Sequence, residues 1–240
     1  MLVSEQQAIS QSAQAYVQTI SPLEKQGKIN SDAALTARVD RITGRLVTEA
    51  IKMRPDSADW KWSMKIIDDP ETVNAWCMAG GRMALYTGLV QKISPTDDEL
   101  AQVIGHEIAH ALANHTAEKM SVAMASSLGV LAVAMVSDQR GAGMTAAAAA
   151  TVAVTLPNSR TAETEADLIG VELAAKAGYD PSAAVTLWQK MAKVSGSAPP
   201  QFLSTHPASE DRQQRLAELE PQMMPFYLEK RPHPVYPLSF

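Results

Sequence analysis

His106-Glu107-Ile108-Ala109-His110 constrains this chain more than any other stretch, because its two imidazoles and one carboxylate can act together only on a regular helix. At roughly 100° per residue, His106 and His110 fall about 40° apart, and Glu107 stays within the same 100° arc. One helix face then carries two metal ligands and a base. The flanks support that helix. Pro95-Thr96-Asp97-Asp98-Glu99 offers a Thr or Asp N-cap with acids in the first turn, and Leu100, Val103, Ile104, Ile108 and Ala111 follow at apolar helical spacing.

A catalytic zinc takes three protein ligands and keeps one position open, so a third ligand must come from elsewhere in the chain. His115 is nearest, but nine residues after His106 it would lie about 180° away on a continuing helix, and no glycine turn redirects the chain. It reads as a surface or capping residue. Arg160-Thr161-Ala162-Glu163-Thr164-Glu165-Ala166-Asp167 is the better source, since Glu163 and Asp167 lie four apart on one helix face. Glu163 would bind zinc while Asp167 accepts the N–H of a ligand histidine. Glu165 should point elsewhere. A solvated acidic helix start remains the alternative for this segment.

The rest of the chain sets a frame for that site. Its 240 residues suffice for a core without disulfides, and a composition rich in Ala and Met and poor in aromatics points to closely packed helices. A net charge of −5 with no basic stripe offers no footprint for nucleic acid. Cys77, between Trp76 and Met78, reads as a buried inert thiol. The first residues lack the basic and apolar regions of a signal peptide, which leaves a cytosolic protein or a processed one.

Residues 4–27 suggest a helix interrupted near Ser21-Pro22, and 31–54 a second helix stopped at Arg54-Pro55. Trp60 to Ile67 alternates apolar and polar residues, as does Asn74 to Tyr86 around Gly80-Gly81, predicting a small sheet with one hairpin. Val122 to Val136 and Met144 to Leu156 are small and apolar but too short to span a bilayer, so a buried helical hairpin is expected, with membrane-surface or partner contact as the alternative. The segment 160–220 reads as three helices, broken at Gly178-Tyr179-Asp180-Pro181 and near 196–200, and the tail beyond Pro221 as extended.

HExxH followed some fifty residues later by Glu-x-x-x-Asp resembles the HtpX/Oma-type gluzincin metallopeptidases, closest to their small bacterial envelope members. Asn74-Ala75-Trp76, Gly80-Gly81, Tyr86-Thr87-Gly88-Leu89, Ser159-Arg160, and His206-Pro207-Ala208-Ser209 with Arg212 extend the likeness from about Asn74 to Leu216. It implies one metallopeptidase domain over 1–240 with a zincin-like fold, mainly α with a small β-sheet (α+β): N-terminal packing helices 1–56, a catalytic core 57–220, and an extended tail 221–240. It implies one Zn2+ per chain held by His106, His110 and Glu163, Glu107 as general base, and Asp167 behind a ligand. His206 has three readings: stabilising the oxyanion, capping the zinc, or serving only helix entry with Ser209 as cap. Arg212 would anchor its loop to an acid.

Arg82, Met83, Ala84 and Leu85 are expected to form an edge strand that binds extended substrate by its main chain, although Ala79 stands where the family more usually has proline. The implied activity is a zinc metalloendopeptidase acting on unfolded or misfolded proteins in a bacterial periplasm or envelope. The alternatives are a chaperone-like binding protein with a latent metal site, and a zinc amidase for small substrates.

Overall fold

The structure is a computed structural model that describes residues 1–136, 160–194, 201–206 and 211–239, with the side chains of 127–136 left aside. Helices α1 (Glu5–Lys25) and α2 (Ala33–Met53) precede a short 3-10 turn, Pro55–Asp59. Strands β1 (Ser63–Ile67), β2 (Ala75–Met78) and β3 (Arg82–Tyr86) follow, then α3 (Thr87–Ile93), α4 (Asp97–Leu112) and α5 (His115–Val136). A helix over residues 160–176, α6, is followed by α7 (Ala183–Val194), α8 (Gln201–Thr205) and α9 (Arg212–Leu228). The architecture is mainly helical around one small sheet, as the sequence implied.

The sheet order is β1-β3-β2. β2 and β3 form the expected hairpin, antiparallel with Met78 opposite Arg82, and β1 runs parallel to β3 with Ser63 opposite Arg82. Side chains alternate between two faces. Met64, Ile66, Ala75, Cys77, Met83 and Leu85 enter the main core with α2 and α4, while Ile67, Trp76, Met78 and Ala84 pack under Tyr16 and Ile20 of α1. Gly80 and Gly81 both have positive φ, +86° and +84°. A side chain is strained there, so glycine suits both positions of the turn.

β3 is therefore the central strand. Its main chain is bonded on both sides, which corrects the expectation that Arg82 to Leu85 form a substrate-binding edge. Alternation marks a strand but says nothing of its place in the sheet.

Two further expectations fail for one reason. α1 runs unbroken through Pro22, and α9 continues through Pro221 and Pro225 to Leu228, so the extended tail starts at Glu229. Proline costs a helical hydrogen bond and crowds the carbonyl four residues back. In α1 that carbonyl belongs to exposed Gln18, where water can bond it. In α9 the stripe Leu216, Leu219, Met223, Phe226 and Tyr227 packs on the core, and that burial outweighs the penalty. The third expected helix is also two pieces, since the short α8 precedes α9. The apolar hairpin expected over 122–156 and the break near 196–200 fall largely outside the described residues. No helix among those described is long and apolar enough to cross a membrane.

Candidate metal centre

α4 forms the middle of the molecule: every residue from Glu99 to Ala111 is buried. Thr96 caps it with a capping box, its hydroxyl accepting from the Glu99 N–H while the Glu99 carboxylate accepts from the Thr96 N–H. Such a helix needs partners on all sides. α6 approaches closest, where Gly105 meets Gly170. A Cβ on Gly170 would lie 2.8 Å from the His106 nitrogen, and one on Gly105 would lie 2.9 Å from the Gly170 carbonyl oxygen. Those two missing side chains let the acids of α6 reach the histidines of α4.

Four donor atoms converge there. His110 Nε2 lies 3.1 Å from His106 Nε2, and Glu163 lies 3.2 Å from His106 Nε2 and 3.3 Å from His110 Nε2. His206 Nδ1 is 3.2 Å from His106 Nε2 and 3.2 Å from the Glu163 carboxylate. All four residues are buried. The Glu163 distances run to different oxygens, Oε2 toward His106 and Oε1 toward His110, and the donor atoms of all four residues lie within 4.8 Å of one another. Donors held this close can converge on one small transition-metal ion, whose imidazole and carboxylate bonds are ~2.0–2.2 Å long. The donors fit a metal ion in both spacing and chemistry.

The electrostatics agree for His110 and Glu163, whereas His206 is held as a cation while no metal is bound. Burial holds the His110 imidazole down at about 4, against the pull of Glu163, so the ring keeps a free lone pair at neutral pH. Burial would raise the Glu163 carboxyl, yet hydrogen bonds with His106, His110 and His206 hold it far below the usual carboxylate range. Glu107 is likewise held low, the cost of burial being overcome chiefly by His206. Burial works against charge on His206, but Glu107 and Glu163 raise it to about 9. His206 Nε2 lies 3.1 Å from Glu107 Oε1.

The surroundings orient these donors. Asp167 Oδ1 lies 3.1 Å from His106 Nδ1, where it receives that ring's N–H and leaves Nε2 free. Arg212 donates to Asp167 (2.5 Å) and to the His206 carbonyl (3.4 Å), and stacks 3.6 Å above the Trp188 ring. It thus ties the His206 backbone to α6, in keeping with its expected anchoring role. Phe202, which the sequence reading passed over, forms the seat of His206. The His206 N–H donates to its carbonyl, and the two rings stack with centroids 4.6 Å apart. An apolar residue four before the histidine was the available signal. The expected cap Ser209 lies outside the described residues.

His115 corrects a prediction. It is 3% exposed, neither on the surface nor in the donor cluster, and its Nδ1 lies 2.8 Å from His110 Nδ1. Its Nε2 is 3.3 Å from Glu165 Oε2; Glu165, half exposed, lies outside the donor cluster as expected but meets His115. The 180° argument assumed a continuous helix. The chain instead turns at Asn114, whose φ is +61°, and α5 begins with His115 folded back against α4. Cys77 is buried as expected, and burial, aided by nearby Glu107, pushes its thiol well up.

Comparison with known proteins is consistent with this geometry. The sequence profile of peptidase family M48 matches residues 33–220. Mitochondrial metalloendopeptidase OMA1 of Arabidopsis thaliana is 37% identical over 157 residues, covering 65% of this chain and 31% of that protein. Its counterpart in Schizosaccharomyces pombe is 35% identical over 189 residues, 78% of this chain and 53% of that protein. The β-barrel assembly-enhancing protease of Escherichia coli is 30% identical over 209 residues, 83% of this chain and 42% of that protein. The chain thus spans about a third to a half of the length of these relatives.

Proposed function

Because the chain belongs to peptidase family M48, we propose that it is a zinc-dependent metalloendopeptidase, with His106, His110 and Glu163 as ligands and Glu107 as general base. The observation that carries this reading is the convergence of buried donors of the right chemistry, His106 and His110 Nε2 3.1 Å apart with Glu163 oxygens 3.2 and 3.3 Å from them. A bound zinc ion supplies Lewis-acid polarisation of the scissile carbonyl and makes water acidic enough to lose its proton near neutral pH. Glu107, held as a carboxylate, takes that proton and returns it to the leaving amine. Asp167 keeps His106 in the tautomer whose Nε2 faces the donor cluster. Casein cleavage abolished by chelator and by Glu107→Gln tests the reading; cleavage that survives both overturns it.

Substrate binding moves from β3 to β2. The Tyr86 N–H donates to the Asn74 carbonyl, so 74, 76 and 78 bond inward to β3 and the main chains of Ala75 and Cys77 face outward. β2 packs on α4, so an extended segment added at this edge lies beside Glu107. Such an edge reads main chain, which suits unfolded or misfolded proteins. We place this activity in envelope protein quality control. The names of the relatives divide between mitochondria and, in E. coli, the assembly of β-barrels, and fractionation of the native cells tests the assignment.

With its proton displaced by a bound zinc ion, His206 Nδ1, 3.2 Å from His106 Nε2 and from the Glu163 carboxylate, would take the position that an incoming water or substrate needs. This favours the capping reading over the oxyanion one, a latent state in which His206 must give way before substrate binds. It also keeps a chaperone-like holding role alive for that state, measurable as suppressed aggregation of a client by Glu107→Gln protein.

A further inference from the structure

The two ligand histidines of α4 are not supported alike. His106 is backed by a carboxylate directly, whereas His110 is backed by another histidine and only then by an acid. The atoms fix the direction of this chain. If His110 turns Nε2 to the donor cluster, its proton sits on Nδ1, 2.8 Å from His115 Nδ1, which must therefore accept. His115 then carries its own proton on Nε2 and donates it toward Glu165 Oε2 at 3.3 Å. Each tautomer follows from the one before, and the rings stand nearly on edge, with centroids 4.9 Å apart.

We propose that His115 is a positioning residue for the metal centre, orienting His110 and holding its tautomer, with Glu165 orienting His115 in turn. The inference rests on the zinc reading above. The fold invests in this placement. Asn114 takes a left-handed backbone to turn the chain, and Arg54 holds that turn from outside, donating to the Leu112 carbonyl (2.7 Å) and to Asn114 Oδ1 (3.2 Å). Glu5 of α1 accepts from Arg54 (2.6 Å) and from Asn114 Nδ2 (3.3 Å), so α1 also braces the corner. His115 has no other polar partner among the described residues. A hydrogen-bonded histidine, buried and directed at a ligand's distal nitrogen, has the geometry that raises ligand basicity and fixes its ring.

Zinc dissociation constants, read by competition with a fluorescent chelator, test this in the parent, His115→Ala, His115→Gln and Glu165→Gln, alongside melting of each metal-free protein. Stoichiometric zinc binding by the parent confirms the underlying centre; its absence sinks the zinc reading itself rather than the role of His115. Removing such a partner typically weakens metal binding about 10–100-fold, which is the loss expected for His115→Ala. Glutamine can accept from His110 and donate to Glu165, so His115→Gln should recover most of that loss. Glu165, 53% exposed, should matter less, a few-fold. Affinity lost while metal-free melting stays within a degree or two, and regained with glutamine, supports positioning. Unchanged affinity in His115→Ala overturns it, and so does an equal loss in both His115 variants accompanied by lowered melting.

Discussion

Gly170→Ala separates the metal site from the fold around it. The new Cβ would sit 2.8 Å from the His106 nitrogen and 2.9 Å from its Cα, where ordinary contacts begin near 3.4 Å. Both neighbours are backbone, so α4 and α6 must part by about 0.6 Å. Ligand positions in metal sites tolerate only about 0.2 Å. His106, on α4, would then no longer share a centre with Glu163, on α6, and zinc affinity should fall at least tenfold. Stability should change little. Overpacking costs about 1–3 kcal/mol, while alanine in place of helical glycine returns about 1 kcal/mol, leaving a net loss of roughly 0–2 kcal/mol. Urea unfolding of the metal-free variant, paired with chelator competition, reads both quantities. Parent-like zinc affinity in a folded variant would refute the claim that this glycine contact sets the distance between ligand sets.

Glu107→Gln should lower casein hydrolysis by about 10²–10⁴-fold while zinc still binds at one per chain; loss of the metal as well would make Glu107 structural. His206→Ala should raise the initial rate of casein cleavage by freeing the position that water or substrate needs, and a fall in rate would return His206 to the oxyanion role. Asp167→Asn should weaken zinc about 10–100-fold in the same competition assay, with no effect if His106 needs no partner. In the metal-free protein His110 titrates near 4, below an unfolded histidine at 6.5, so stability falls as pH drops from about 6.5 towards 4. His206 titrates near 9, so its contribution is complete below about 6.5 and lost as pH rises through 9. Each shift corresponds to about 3 kcal/mol, placing the stability maximum near pH 6–7 in urea titrations of chelator-treated protein. A flat profile between pH 4.5 and 9 would contradict it.

What the sequence disclosed follows from which interactions are local. The α4 helix, its Thr96 cap and the pairing of His106 with Glu107 and His110 depend on spacing within a few turns, and each was legible. So was the hairpin at Gly80-Gly81, where backbone conformation demands glycine. The order β1-β3-β2 was hidden because alternation is the same for edge and central strands, and the crossover leaves no periodic trace. Pro221 and Pro225 misled because the burial that offsets them is tertiary, and Pro22 because the carbonyl it displaces, on exposed Gln18, can bond water instead. His115 was missed through one residue: a left-handed Asn114 reverses the direction that helical arithmetic assumes. Phe202 has no mark in the sequence beyond its spacing to His206, because their contact is set by the fold.

The position of the bound metal decides whether His106, His110 and Glu163 form the catalytic centre. Zinc-edge anomalous diffraction from crystals of the zinc-loaded protein should show one strong peak per chain, within about 2.0–2.2 Å of His106 Nε2, His110 Nε2 and a Glu163 carboxylate oxygen. A peak elsewhere, or none at full zinc loading, would contradict that assignment.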